Sequence, residues 1–176
     1  EYVRGDILVY GDSADASQAE ATDYGLYLGP ASMYGASGLG EVKIATFNVH
    51  GSSHTASNGS QSGASRAGPQ AALILREGYA VVGFQELQPG QRRSIMARLG
   101  PGWGIWPAKP HYRDPGAHSV NSIIWDKSQV TFVSGSSLPM PYYFAGHRKP
   151  RDIPLVQLRQ RGTGQLFYVA NTHDPA

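Results

Sequence analysis

The chain has 176 residues, of which 40% are hydrophobic and 16% are charged. This length can form a hydrophobic core, and the composition is too apolar for a disordered chain. The net charge of +2 is too small to indicate nucleic-acid binding by itself, and cysteine is absent, which excludes disulfides and thiolate metal sites within these residues. No stretch reaches the ~20 apolar residues of a membrane-spanning helix, so no membrane span is predicted.

The first forty residues predict a small antiparallel β segment. Aromatic and β-branched runs that end or are interrupted at glycine are typical of short strands, and they occur at 6–11, 24–29 and 31–37. A change of pattern near Gly38 to Glu41 suggests a boundary there. The sequence therefore predicts a β-rich segment over 1–40 and a second domain over 41–176.

From residue 42 onwards the pattern predicts longer strands that alternate with helices. Two helices are expected, each with a proline near its start and a glycine past its end, at 69–77 and 89–99, after a Ser/Gly-rich loop at 51–68. The run YAVVGFQEL is almost entirely apolar, as a strand buried on both faces should be. The other predicted strands are VKIATFNV, SVNSIIWD, QVTFVSG, DIPLVQLRQ and QLFYVANTH, and the last two form a hairpin around RGTG. The pattern predicts an α/β fold that ends in an antiparallel meander.

Polar residues follow several of these strands at the point where each ends. Asn48, Glu86 and His173 lie at predicted carboxyl ends, and Arg151 lies near a strand start. Each has an ordinary explanation as a turn former or a surface group. Ligands of α/β sheets bind outside the carboxyl ends of the strands, so their joint placement favours a site.

The chemistry that suits this set is metal-assisted hydrolysis of a phosphodiester. A hard cation such as Mg²⁺ or Mn²⁺ needs only one or two carboxylates besides water and phosphate, and Glu86 is the best ligand candidate. Asn48, with an amide oxygen and two donor hydrogens, can orient that carboxylate or the phosphate. His173 can donate a hydrogen bond to a phosphate oxygen or leaving group, and Arg151 can hold phosphate charge.

Five motifs, in order, resemble the first half of the endonuclease/exonuclease/phosphatase superfamily. They are ATFNVHG, VVGFQELQP, NSIIWDKS, PRDIPLVQL and FYVANTHDPA. The resemblance implies a partial four-layer α/β sandwich in which Asn48 and Glu86 belong to the metal site, His173 contacts the scissile phosphate and Arg151 precedes a central strand. It implies a phosphodiester substrate without choosing among DNA, RNA, phosphoinositide and sphingomyelin.

The later motifs of that superfamily, an Asp-x-Asn and a final Asp-His pair, have no counterpart in these residues. We therefore expect this segment alone to be inactive and to need a missing C-terminal half or neighbouring subunits. We also expect the second sheet of the sandwich to be lacking, which would leave one face of the first sheet exposed as an apolar patch.

A second resemblance concerns residues 1–40. RGDILVYG and the glycine-aromatic run that follows are similar to part of an NlpC/P60 peptidase barrel, with Asp23 where the catalytic histidine would stand and no cysteine nucleophile. This favours an alternative function, a non-catalytic structural module of a phage tail or cell-envelope assembly. A secreted or virion-associated location is favoured over a cytoplasmic one.

Overall fold

A computed structural model describes residues 22–26, 42–52, 62–109, 120–144 and 147–173. The described elements are β1 Thr22–Leu26, β2 Val42–Asn48, α1 Gly63–Glu77, β3 Val81–Leu87, α2 Pro89–Leu99, β4 Trp103–Trp106, β5 Val120–Asp126, β6 Val130–Phe144, β7 His147–Gln160 and β8 Leu166–Ala170. The strands predicted at 6–11 and 31–37 lie outside the described residues.

The described strands form two sheets. The first sheet has the order β1-β2-β3-β5-β4, in which only β2 and β3 are parallel neighbours. Helix α1 connects these two strands, since a parallel pair needs a crossover. The second sheet is the antiparallel meander β6-β7-β8, and β7 and β8 form the hairpin expected around RGTG. The prediction of an α/β fold is confirmed.

Helix α1 begins six residues earlier than the sequence predicted. The Ser62 side chain accepts a hydrogen bond from the Ser65 N–H and so caps the helix, which makes Pro69 an interior residue instead of the start. Gly78 ends the helix in the left-handed conformation, at the helix end that the sequence predicted from this glycine. Helix α2 has the predicted bounds. Neither α1 nor α2 is both long and apolar enough to cross a membrane.

Strand β4 was not predicted, and β6 and β7 are longer than predicted. The four residues of β4 lie between Gly102 and Pro107, so the flanking turn formers concealed them. The predicted strands ended at Gly135 and began at Asp152, and prolines at 139, 141 and 150 lie between these limits, where they are unfavourable for a strand. These prolines lie inside a long two-stranded extension of the second sheet.

The first sheet buries a different core on each face. Ala45, Phe47, Val82 and Phe84 belong to the core shared with α1 and α2. The alternate residues of the same strands pack against the second sheet in a separate core that contains Val42, Ile44, Val81, Ile123, Trp125, Val130, Val156, Leu158, Phe167 and Val169. The expectation of an exposed apolar face on the first sheet is therefore wrong, because β6, β7 and β8 already supply part of a second sheet.

Strand β1 lies on the other side of the predicted domain boundary from β2, yet the two strands pair. Their register places Asp23 opposite Ala45, so β1 extends the first sheet at its edge. The division at residues 1–40 and 41–176 remains a prediction. The resemblance to NlpC/P60 peptidases rests mainly on residues outside the described part of the chain.

Candidate active site

Strand β3 ends in a β-bulge that changes where Glu86 points. Phe84 pairs with Ser122 and Leu87 pairs with Val120, so two residues of β3 oppose one residue of β5. Glu86 takes a φ of 58°, in the left-handed region that side chains other than glycine rarely occupy. In regular alternation residue 86 would share the helix-facing side of Val82 and Phe84, but Leu87 fills that side. The bulge thus buries Leu87 and releases the carboxylate to the carboxyl edge of the sheet.

The Glu86 carboxylate lies at the centre of the candidate site. Its Oε1 accepts a hydrogen bond of 3.1 Å from Asn48 Nδ2 and lies 3.8 Å from His173 Nε2. Its Oε2 accepts a hydrogen bond of 2.9 Å from the Gly51 N–H. The structure therefore brings Asn48, Glu86 and His173 together, as the sequence predicted from three separate strand ends.

The orientation of the Asn48 amide follows from its second contact. Asn48 Oδ1 accepts a hydrogen bond of 2.9 Å from the His50 N–H, which only an oxygen can do. The amide nitrogen consequently faces Glu86. This geometry suits Asn48 to orienting the carboxylate, while its predicted role as a metal ligand remains a prediction.

Two side chains from the helices stabilise the backbone that follows Asn48. Gln91 of α2 donates to the carbonyls of Val49 and His50, and its Oε1 accepts from the Ser52 N–H, each at 3.1 Å. The Arg66 guanidinium of α1 also donates to the His50 carbonyl. Burial lowers the pKa of Arg66 from its usual value because it disfavours the charged form. These contacts fix the loop that presents the Gly51 N–H to Glu86.

Asn171 connects the two sheets beneath the site. It follows β8 and is 2% exposed. Its Nδ2 donates to the carbonyls of Phe84 and Ser122, at 2.7 and 3.0 Å, and its Oδ1 accepts from Gln85 Nε2 at 2.6 Å. Phe84 and Ser122 form the last regular pair before the bulge. Asn171 therefore contacts the two strands beside the bulge, and it stands two residues before His173 in the sequence.

Arg151 lies within β7 and not before it. The Arg151 backbone pairs with that of Met140, and Arg151 stands three residues before Pro154 in the same strand. The Pro154 carbonyl accepts a hydrogen bond of 3.1 Å from the Asn171 N–H. Because the two segments run antiparallel, the backbones of Arg151 and His173 lie at the same end of the second sheet. The role of Arg151 remains a prediction.

Solved structures share this arrangement of sheets and helices. An endonuclease/exonuclease/phosphatase from Bacteroides vulgatus matches with a TM-score of 0.62 and 20% identity over 75% of this chain and 52% of that chain. A humanised D. rerio TDP2 matches with a TM-score of 0.57 and 19% identity over 77% and 51% of the two chains. A mannosyl-6-phosphatase from Bacteroides thetaiotaomicron matches with a TM-score of 0.59 and 17% identity over 72% and 49%.

The chain has the endonuclease/exonuclease/phosphatase fold. It spans about half the length of these solved structures. No protein-family model matches the sequence, and no curated protein matches it either. The resemblance stated from the five motifs is thus supported by the fold, although residue identity to the solved structures stays low.

The oxygen atoms of this site fit a hard divalent cation. The described residues contain no cluster of three or more His, Cys, Asp or Glu side chains that could hold a metal ion. Mg²⁺ does not require such a cluster, since it keeps several waters and binds one or two carboxylates together with substrate phosphate. The Glu86 carboxylate, held by Asn48 and by the Gly51 N–H at the edge of the sheet, is the kind of oxygen ligand that a hard cation prefers.

Sequence reasoning missed the residues that support the site in this endonuclease/exonuclease/phosphatase fold. Gln91 could have been found, because it stands in the buried stripe of α2 with Ile95 and Leu99, at the spacing of one helix face. Arg66 lay in a stretch that was predicted to be a loop. Asn171 was seen only as part of a motif, and its contacts depend on how the two sheets pack.

Proposed function

We propose that the chain is a metal-dependent phosphodiesterase domain that uses Mg²⁺ or Mn²⁺ and acts as a nuclease on DNA or RNA. The observation that carries this proposal is the meeting of Asn48, Glu86 and His173 at the carboxyl edge of the first sheet, around one carboxylate that a bulge releases from the core. The fold of the solved nucleases and phosphatases supports the reaction class.

Each residue has a distinct task in this proposal. Glu86 holds the cation, with its carboxylate kept in place by Asn48 and by the Gly51 N–H. A bound cation supplies charge stabilisation at a phosphoryl oxygen. His173 donates a hydrogen bond to a phosphate oxygen or to the departing oxygen, and Arg151 neutralises phosphate charge by bidentate contact.

The proposal also includes a contribution from outside these residues. Hydrolysis needs a positioned water and a base that removes its proton. Asn48, Glu86, His173 and Arg151 are assigned to the cation, the phosphate and the departing oxygen, so we assign the base to a C-terminal half or to a neighbouring subunit. General acid–base groups contribute about 10²- to 10⁴-fold each, so residues 1–176 alone should hydrolyse close to background.

Metal binding is the first test, and Glu86→Gln is the informative variant. Calorimetric titration with Mg²⁺ or Mn²⁺ should show affinity reduced by about tenfold or more, since the amide keeps the shape but loses the charge that attracts the cation. Glu77→Gln is the matched control, because Glu77 ends α1 and pairs with its neighbour Arg76. Equal metal affinity in wild type and Glu86→Gln would contradict the proposed site.

Cleavage measurements separate the parts of the proposal. A plasmid or chromogenic phosphodiester incubated with residues 1–176 and Mg²⁺ should remain nearly intact. Rapid cleavage that disappears in Glu86→Gln would support the enzyme but contradict the need for a partner. The absence of metal binding in every variant would favour the alternative of a non-catalytic structural module.

A further inference from the structure

Asn171 makes hydrogen bonds to both strands beside the bulge of β3. Both of its amide hydrogens are directed to carbonyls of the last regular pair before the bulge, Phe84 and Ser122. The regular pairing of β3 with β5 ends at this pair, because the bulge follows it directly. The side-chain amide of Asn171 therefore bridges β3 and β5 at the last point of their regular pairing.

Asn171 makes a third hydrogen bond, which fixes the side chain of Gln85, the residue between Phe84 and Glu86. Asn171 Oδ1 accepts from Gln85 Nε2, which also donates to Thr46 Oγ1 at 2.9 Å. Gln85 is 3% exposed, so its side chain is held between the two sheets. The main chain at 84 and the side chain at 85 are thereby fixed just before residue 86 enters the left-handed region.

Space around Asn171 is restricted in a way that supports a specific role. Gly83 lies against it, and a Cβ added at Gly83 would approach Asn171 Cγ and Oδ1 to 2.9 Å. The absence of a side chain at 83 is what allows the amide to reach the carbonyls. After Asn171 the chain continues through Thr172 to His173, whose Nε2 lies 3.8 Å from Glu86 Oε1.

We propose that Asn171 is a positioning residue that sets the backbone conformation of Glu86 and, through its own backbone, the distance between Glu86 and His173. Asn171 does not touch the substrate in this proposal. Its hydrogen bonds stabilise the bulge, and the bulge directs the carboxylate to Asn48 and Gly51. The effect of Asn171 on metal affinity rests on the proposed function, whereas the effect of Asn171 on the conformation of Glu86 does not.

The test uses the metal-free chain and follows hydrogen exchange of the Gly51 amide by NMR. This amide donates to Glu86 Oε2, so it reports the position of the carboxylate. Asn171→Ala should reduce its protection by about tenfold beyond the change in global stability, because the acceptor moves away. Val169→Ala is the control, since Val169 is a buried residue of β8 that packs between the sheets.

Gly83→Ala provides an independent perturbation that keeps every polar group of Asn171. The added methyl displaces the amide from its carbonyls, so exchange at Gly51 should increase in the same way, and this variant decides the question if Asn171→Ala does not fold. The comparison is made after correction for global stability. If Gly51 is then protected as strongly in Asn171→Ala or in Gly83→Ala as it is in Val169→Ala, the proposal is overturned. Calorimetry with Mn²⁺ on the wild type and the same variants separates the two claims. If Gly51 loses protection in the variants but the wild type binds no metal, only the proposed function is overturned.

Discussion

Glu86 combines a left-handed backbone with a side chain other than glycine. A φ of 58° brings the Cβ close to the following carbonyl oxygen, which costs about 1 to 2 kcal/mol for residues other than glycine. The carboxylate offsets this cost by accepting hydrogen bonds from Asn48 and from the Gly51 N–H. Strained residues of this kind cluster at functional sites, where the surrounding structure maintains them.

Comparison of Glu86→Gly with Glu86→Ala measures this strain directly. Both variants lose the same hydrogen bonds, but only glycine relaxes at positive φ, so Glu86→Gly should be more stable than Glu86→Ala by about 1 kcal/mol in urea unfolding. Tyr168, an exposed residue of β8, is the control, because glycine is normally the less stable of the two in a strand. Greater stability of Glu86→Ala would show that residue 86 is not strained.

The turn between β5 and β6 is the element that connects the two sheets. Asp126 Oδ1 accepts from the Ser128 N–H and hydroxyl, and Oδ2 accepts from Gln129 Nε2 at 3.0 Å. Burial alone raises the pKa of the Asp126 carboxyl, but these hydrogen bonds outweigh burial, so its pKa lies below the usual value. The turn is therefore stabilised by the ionised form of Asp126.

Asp126→Asn should reveal this stabilisation through its dependence on pH. A lowered pKa in the folded state stabilises the fold above the unfolded pKa of Asp, about 4, and the effect is lost as pH falls through the folded pKa. At neutral pH the variant should be less stable by roughly 1 kcal/mol, a modest value because the group is only partly buried and is screened by solvent. Urea unfolding should show this difference shrink below about pH 4. A difference that stays constant into acid would contradict the assigned cause.

The sequence predicted elements where pattern and turn chemistry agreed, and it failed where packing decided. The apolar run of β3 and the glycine ends of α1 and α2 indicated those elements correctly. The convergence of Asn48, Glu86 and His173 followed from their places at strand ends. Residue 86 is not a glycine and so does not signal its left-handed backbone, and the hydrogen bonds of Asn171 exist only because the second sheet packs there.

At the scale of the whole molecule, the first sheet is the middle layer between the helices and the second sheet. Its two faces belong to two hydrophobic cores, so β2, β3 and β5 contribute to both. Trp106 Nε1 adds a hydrogen bond of 2.9 Å to the Ser136 carbonyl across the sheets. Because the same strands form both cores, loss of packing on one side should be transmitted to the other.

Leu158→Ala tests whether the described layers unfold as one cooperative unit. Leu158 is fully buried in the core between the sheets, so its truncation should lower the free energy of unfolding by about 2 to 5 kcal/mol. Far-UV circular dichroism follows mainly α1 and α2, whereas fluorescence also follows Trp125, which lies in the same core as Leu158. Both probes should shift to the same lower urea midpoint, because two-state unfolding gives coincident transitions. A fluorescence transition that moves while the helical signal keeps its wild-type midpoint would show that the second sheet unfolds separately from the helices.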